Sequence, residues 1–293
     1  MTTFTKQLAR TRRARKNLGF KMILERRFNP EINSYFAKIL KDFKDVYSTS
    51  GVMLDMNNYT TDTQTLLKKQ YTRVQRFFKK EMREEDGKSI NIPMELKQDE
   101  REQELDALIN TSLLMLADQS SRERSEFIID TNSKQMQESI DEANEQIAQE
   151  NLARTQEGQD AITITDALIA SQAVRILKRK YDARKQLINT TETQFMSEKT
   201  KAVEANVMSG REPMQGVVSP VELGEVREAT KMWAAILDKR TRDIHASADG
   251  QTRNIDEPYL VNGERLMHPG DPSLGASAKN LINCRCSSLN NIK

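Results

Sequence analysis

Apolar residues recur at helical spacing through most of the chain. Leu67, Tyr71, Val74 and Phe78 step by 4, 3 and 4, which predicts a helix from about Asp62 to Glu85 with one apolar face. Gly87 is a natural stop for it, and Pro93 falls in the loop that follows. Met136, Ile140, Ala143 and Ile147 repeat the same steps. That stripe is narrow and its polar face broad, as in a helix that packs on one neighbour or in a coiled-coil-like pair. Ile162-Thr163-Ile164 alternates like a short strand. Thr165 then has the chemistry of an N-cap, and Ala167 to about Asn206 runs without Gly or Pro as one long helix. Beyond it, a helix over about 222–242 leads into a short strand, Tyr259-Leu260-Val261, which the Asn262-Gly263 pair turns into a hairpin.

Glycine and proline sharpen the division. Residues 1–209 hold Gly19, Gly51, Gly87 and Gly158 with Pro30 and Pro93, and the other seven glycines and five prolines lie after that point. These residues free or fix φ, so long helices precede a boundary near Gly210 and loops dominate after it. The expected fold class is mainly α: an extended helical N-terminal region followed by a small C-terminal α+β module. Its parts are a basic arm over 1–30, long helices over 31–209 and the module over 210–293.

Charge adds a second asymmetry. The 293 residues carry a net charge of only +2, but nine basic residues stand in 1–27 (Lys6, Arg10, Arg12, Arg13, Arg15, Lys16, Lys21, Arg26 and Arg27) against Glu25 alone. Residues 95–160 hold 17 acidic and 6 basic residues. Such an arm suits phosphates of double-stranded DNA, contacted without reading bases. It is Arg-rich like a mitochondrial presequence but lacks the serines, and no apolar stretch follows it as in a secretory signal. A second cluster, Arg175, Lys178, Arg179, Lys180, Arg184 and Lys185, reads as a solvated face with phosphate contact as the alternative. No stretch approaches the length of a membrane span. Two cysteines in 293 residues exclude a disulfide scaffold, and no Walker-type or G-x-G-x-x-G loop is present.

Candidate chemistry gathers at the C-terminus. Both histidines (His245, His268), both cysteines (Cys284, Cys286) and the lone Trp233 lie within residues 231–286. Imidazole and thiolate are preferred zinc ligands, so His245, His268, Cys284 and Cys286 form a candidate metal set, although Cys-X-Cys is tighter than the usual zinc spacing. The plainer alternative makes the cysteines small buried residues flanking an outward Arg285 and His245 a hydrogen-bonded core histidine. Arg242 is placed to pair with Asp238 at i−4. Trp233 is expected to pack the entering helix on the hairpin.

The ordered set Lys231…Trp233, Asp238-Lys239-Arg240-Thr241-Arg242, His245, Asp249-Gly250, Glu257-Pro258-Tyr259, Gly263, Pro269-Gly270-Asp271-Pro272 and Asn283-Cys284-Arg285-Cys286 resembles the phage Mu F-like family of minor head, or head morphogenesis, proteins. Upstream, Ile188-Asn189-Thr190-Thr191-Glu192 is similar to the family's I-A-R-T-E run, with Thr190 where Arg is usual. The resemblance begins near residue 165. It implies a non-enzymatic minor capsid protein of a tailed bacteriophage, present in the host cytoplasm during assembly. In the virion it would lie in the capsid interior at the portal vertex, with the portal protein, other head proteins and packaged DNA as partners and no membrane. The long helices are expected to dock an oligomeric partner through their narrow stripes. Trp233, Asp238, Arg240, Arg242, His245, Asp249, Gly250, Asn283, Cys284, Arg285 and Cys286 would be structural motif residues. Two further readings are an ejected internal DNA-binding protein and a zinc-dependent hydrolase.

Overall fold

The computed structural model describes residues 3–86, 98–213, 223 and 225–292. Four long helices come first: α1 (Thr3–Ser50), α2 (Thr60–Asp86, preceded by a 3-10 turn over Met56–Tyr59), α3 (Gln98–Gln156) and α4 (Asp166–Met208). The helix inferred from periodicity over residues 62–85 and the one inferred over 167–206 from the lack of Gly and Pro are both present, and the Met136–Ile147 stripe lies in α3. The proposed stop Gly87 and loop residue Pro93 lie outside the described residues. The basic segment is the first part of α1.

Both stripes are buried. Leu67, Tyr71, Val74 and Phe78 are at most 2% exposed, and Met136, Ile140, Ala143 and Ile147 at most 5%. The chain's own packing thus covers the faces expected to dock a partner. Residues 162–164 form no strand; they run irregularly into α4. The Asn151 side chain accepts from Ile162 N at 2.6 Å and donates to Ile162 O at 3.1 Å, satisfying a backbone that has no neighbouring strand. Thr165 does cap α4, its hydroxyl accepting from Leu168 N at 3.2 Å.

The chain forms two compact units, and each long helix contributes to both. One unit comprises residues 28–68 and 120–189. Its helical core includes Phe36 against Tyr181, ring centroids 4.5 Å apart. Arg184, read from sequence as part of a solvated cluster, is buried there and donates to Asn132 Oδ1 and to Ile128 O. Arg175, Lys178 and Arg179 are exposed.

The other unit comprises residues 1–27, 69–119 and 190–293 and holds all five strands found among the described residues. In it β1 (Ala229–Ala234) lies between β2 (Thr252–Asn254) and β5 (Ser287–Ile292), antiparallel to both. Residues 229–234 are therefore strand, not the expected entering helix. Lys, Met, Trp and Ala all favour helices well enough to mislead a local reading. Pairing on both edges decides otherwise, and alternating burial along β1 fits the pleat. The hairpin β3 (Tyr259–Val261) and β4 (Glu264–Leu266) forms as expected. Asn262 and Gly263 both take positive φ, +50° and +80°, the combination a two-residue turn of this hand requires.

Two apolar clusters sandwich the three-stranded sheet. Trp233, Ala235, Ala248, Tyr259, Val261, Leu266, Cys284 and Cys286 form one. Ala14 of α1 packs with Ala234, Ile236 and Leu289 in the other. Polar contacts add to the second. Lys21 on α1 and Lys201 on α4 reach the same Glu198 oxygen at 2.8 and 2.7 Å, and Ser288 N donates to the other at 2.8 Å. Burial alone would raise the Glu198 carboxyl, but the lysine charges outweigh it and hold it at about 2. Burial pushes Lys201 down to about 8 against the pull of Glu198.

Candidate functional site

His245, Cys284 and Cys286 come together. Their ligand atoms all lie within 4.8 Å of one another, and all three residues are buried. His245 Nδ1 is 3.7 Å from Cys284 Sγ and 3.6 Å from Cys286 Sγ. His245 sits on the short helix α5 (Asp243–Ala246), beneath the T-shaped contact of its ring with Trp233. The cysteines precede β5, where extended backbone turns residues i and i+2 to the same side. Asn283, at φ +54°, supplies the left-handed step that brings this segment back, a conformation asparagine tolerates better than most residues.

The orientation of the imidazole is fixed from behind. Asn280, on the short helix α6 (Ala278–Leu281), gives its amide hydrogens to Glu264 Oε2 at 2.7 Å and Val261 O at 3.3 Å. Its Oδ1 is therefore the atom that faces His245 Nε2, at 3.1 Å. An acceptor there assigns the proton to Nε2 and leaves the Nδ1 lone pair facing both sulfurs. The Glu264 carboxyl also accepts from Ser277 N at 2.8 Å, and those hydrogen bonds, that of Ser277 foremost, hold it below its ordinary value.

The thiols behave as a pair. Cys284 is pulled well below the ordinary thiol value, first by a hydrogen bond from Cys286 and then, against burial, by His245. Cys286 is held well above it, first by that same bond and then by burial. The Trp233 indole N–H is buried with no conventional acceptor and faces the Cys286 sulfur, whose charged form it favours.

A small, partly open cleft lies beside His245 and Cys286, with Arg240, Arg242 and Arg285 in its lining. Arg285 makes a two-pronged pair with Asp238, at 2.8 and 2.5 Å, which holds the Asp238 carboxyl far down. Arg242 donates to Ile282 O at 2.6 Å. The expected Arg242–Asp238 helix pair is thus replaced by two separate ties, because residues 238–242 are turn rather than helix.

His268 stands apart from the cluster. It is buried, its Nδ1 faces Pro269 O at 3.3 Å, its Nε2 lies 3.8 Å from Asp271, and burial lowers its pKa. Asp271 organises its own turn, accepting from Met267 N and Ser273 N. Asp249 accepts from Ala235 N at 2.9 Å and pairs with Arg10 at 3.1 Å. The DNA-contact candidates therefore divide. Arg10 and Lys21 are engaged inside the protein, while Arg12, Arg13, Arg15, Lys16, Arg26 and Arg27 are exposed. The Lys6 side chain lies outside those described.

Asn280 was missed by sequence reasoning, since an asparagine in a polar loop carries no local signal. Gln194, which donates to Cys286 O at 2.9 Å and Pro269 O at 3.3 Å, was missed too. In the upstream run, Glu192 accepts from Tyr71 OH at 2.5 Å, and Thr190 donates to Glu25 at 3.2 Å from the place where arginine is usual.

All of this motif falls in one comparison. Residues 145–289 match the family model described as phage Mu protein F like protein. Those residues belong to that family. The Mu F-like region includes the histidine–cysteine cluster, the cleft and all of α4, whereas the basic start of α1 lies outside it. A stretch of 59 residues is also 32% identical to NAD(+)--arginine ADP-ribosyltransferase EFV of Enterococcus faecalis, covering 20% of this chain and 12% of that protein. So short a match carries no activity to this chain. No solved structure matches it.

Proposed function

We propose that the protein is a minor capsid component of a tailed bacteriophage that docks at the portal vertex inside the head and contacts packaged DNA through the start of α1. The coarser part, head morphogenesis alongside other head proteins in the virion, follows from membership of the Mu F-like family. No described helix is long and apolar enough to cross a membrane.

The observation that carries the DNA contact is the arrangement of charge around α1. At about 100° per residue, Arg12, Arg15, Lys16, Arg26 and Arg27 share a sector about 120° wide. Arg10 and Lys21 point roughly the opposite way, and those are the two engaged with Asp249 and Glu198. The segment thus uses one face for the fold and keeps an exposed cationic face running about 22 Å along the axis, enough to meet several phosphates.

Duplex DNA binding measured against salt tests this. Replacing Arg12, Arg15, Arg26 and Arg27 together by Ala removes four phosphate contacts and should reduce the log–log slope by about 3–4. An unchanged slope refutes the contact. Arg175→Ala with Arg179→Ala, on α4, should leave it unaltered.

A further inference from the structure

We propose that His245 Nδ1, Cys284 Sγ and Cys286 Sγ hold a zinc ion whose fourth position opens onto the arginine-lined cleft and takes a solvent oxygen. The distances carry this. Zinc bonds of about 2.3 Å to sulfur and 2.0–2.1 Å to nitrogen, at tetrahedral angles, set the nitrogen–sulfur edge at about 3.6 Å. The two edges here are 3.6 and 3.7 Å.

A hydrogen-bonded trio explains less. An imidazole nitrogen has one in-plane lone pair, which can accept one thiol proton, yet both sulfurs stand equally close to it. Three groups converging on one point is the geometry of a shared ion.

The surroundings agree independently. A ligating histidine ordinarily gives its other N–H to a fixed acceptor, and here Asn280, itself held by Glu264, supplies it. The Trp233 N–H, buried and without a conventional acceptor, faces the Cys286 sulfur, where a metal-bound thiolate would satisfy it. Two thiolates and an imidazole select zinc over magnesium or calcium, which prefer oxygen, and are too few for a four-cysteine iron–sulfur cluster. His268, whose nitrogens face Pro269 and Asp271, is not a ligand.

The test uses the full chain, purified from zinc-supplemented culture. Elemental analysis should find about one zinc per chain, because the site forms only in the folded state. Exchange with cobalt should give tetrahedral d–d bands and a thiolate-to-cobalt charge-transfer band. Cys284→Ser and Cys286→Ser should each weaken zinc affinity by at least about tenfold, while His268→Gln keeps full stoichiometry. Metal below about a tenth per chain, with both thiols open to titration on unfolding and no cobalt charge-transfer band, overturns the proposal. So does full loading in either cysteine variant. Should those variants fail to fold, the cobalt spectrum of the unaltered chain still decides, since it reports thiolate ligation directly.

Discussion

Glu198 shows how one buried carboxylate ties three elements together. Lys21 of α1 and Lys201 of α4 supply charge, and Ser288 N at the start of β5 fills the remaining oxygen. Holding this carboxyl at about 2, against an ordinary 4.5, favours the folded state by about 3 kcal/mol. Lys201, lowered from 10.5 to about 8, costs the fold a similar amount. At neutral pH the two oppose one another, and the network is costly to break from one side. Glu198→Gln leaves two buried lysines without their partner and should lower stability by about 3–5 kcal/mol in urea unfolding. A loss under about 1 kcal/mol would mean that the lysines escape to water. The pH dependence has a definite sign. The folded pKa of Glu198 is depressed, so its contribution is present above about 4.5 and drains away as pH falls towards 2. Lys201 acts at the other end, its cost fading as pH rises from about 8 to 10.5. In the Gln variant the acid-side loss should flatten. None of this was legible in the sequence, where Glu198 and Lys201 look like an ordinary i, i+3 surface pair. The histidine–cysteine cluster was legible as a composition but not as a set: His268 qualifies by residue type and fails by position.

Among the elements, period told more than propensity. The stripes on α2 and α3 follow from spacing that repeats over about three turns, because an amphipathic stripe has few other ways to be buried, and α4 follows from a long run without Gly or Pro. Short segments were misread where partners decide the outcome. Residues 229–234 have helical composition and become the central strand of a sheet, while residues 162–164 have strand composition and stay irregular beside Asn151. The β3–β4 hairpin was read correctly because its signal is local and steric. Gly263 sits at φ +80° with open space where a Cβ would go, so Gly263→Ala isolates the backbone cost alone. It should destabilise by about 1–2 kcal/mol, seen as a lower Tm with no change in the urea slope. Gly210→Ala should cost more, since its Cβ would come 2.6 Å from Glu225 O as well as requiring positive φ. Equal losses at the two positions would contradict the contact at Gly210.

The molecule as a whole sets the limits of what can be cut from it. The unit containing the strands takes residues from three separate stretches, 1–27, 69–119 and 190–293. One face of its sheet is covered by Ala14, and the network at β5 needs Lys21, Glu198 and Lys201. Residues 210–293 on their own would leave Ala234, Ile236 and Leu289 without that cover and would expose the polar backbone that Gln194 satisfies. A segment so short buries a smaller fraction of its surface than a larger domain does, so losing one layer weighs heavily on it. Residues 210–293 expressed alone should therefore give poorly dispersed amide resonances and no cooperative thermal transition, with or without added zinc. For the same reason, deleting residues 1–27 should lower the stability of the full chain as well as its DNA affinity, whereas the four exposed-arginine substitutions should lower affinity alone. A cooperatively folded 210–293 fragment would show that α1 and α4 merely decorate the module. It would also make the loss of DNA binding on truncation attributable to charge without any contribution from the fold.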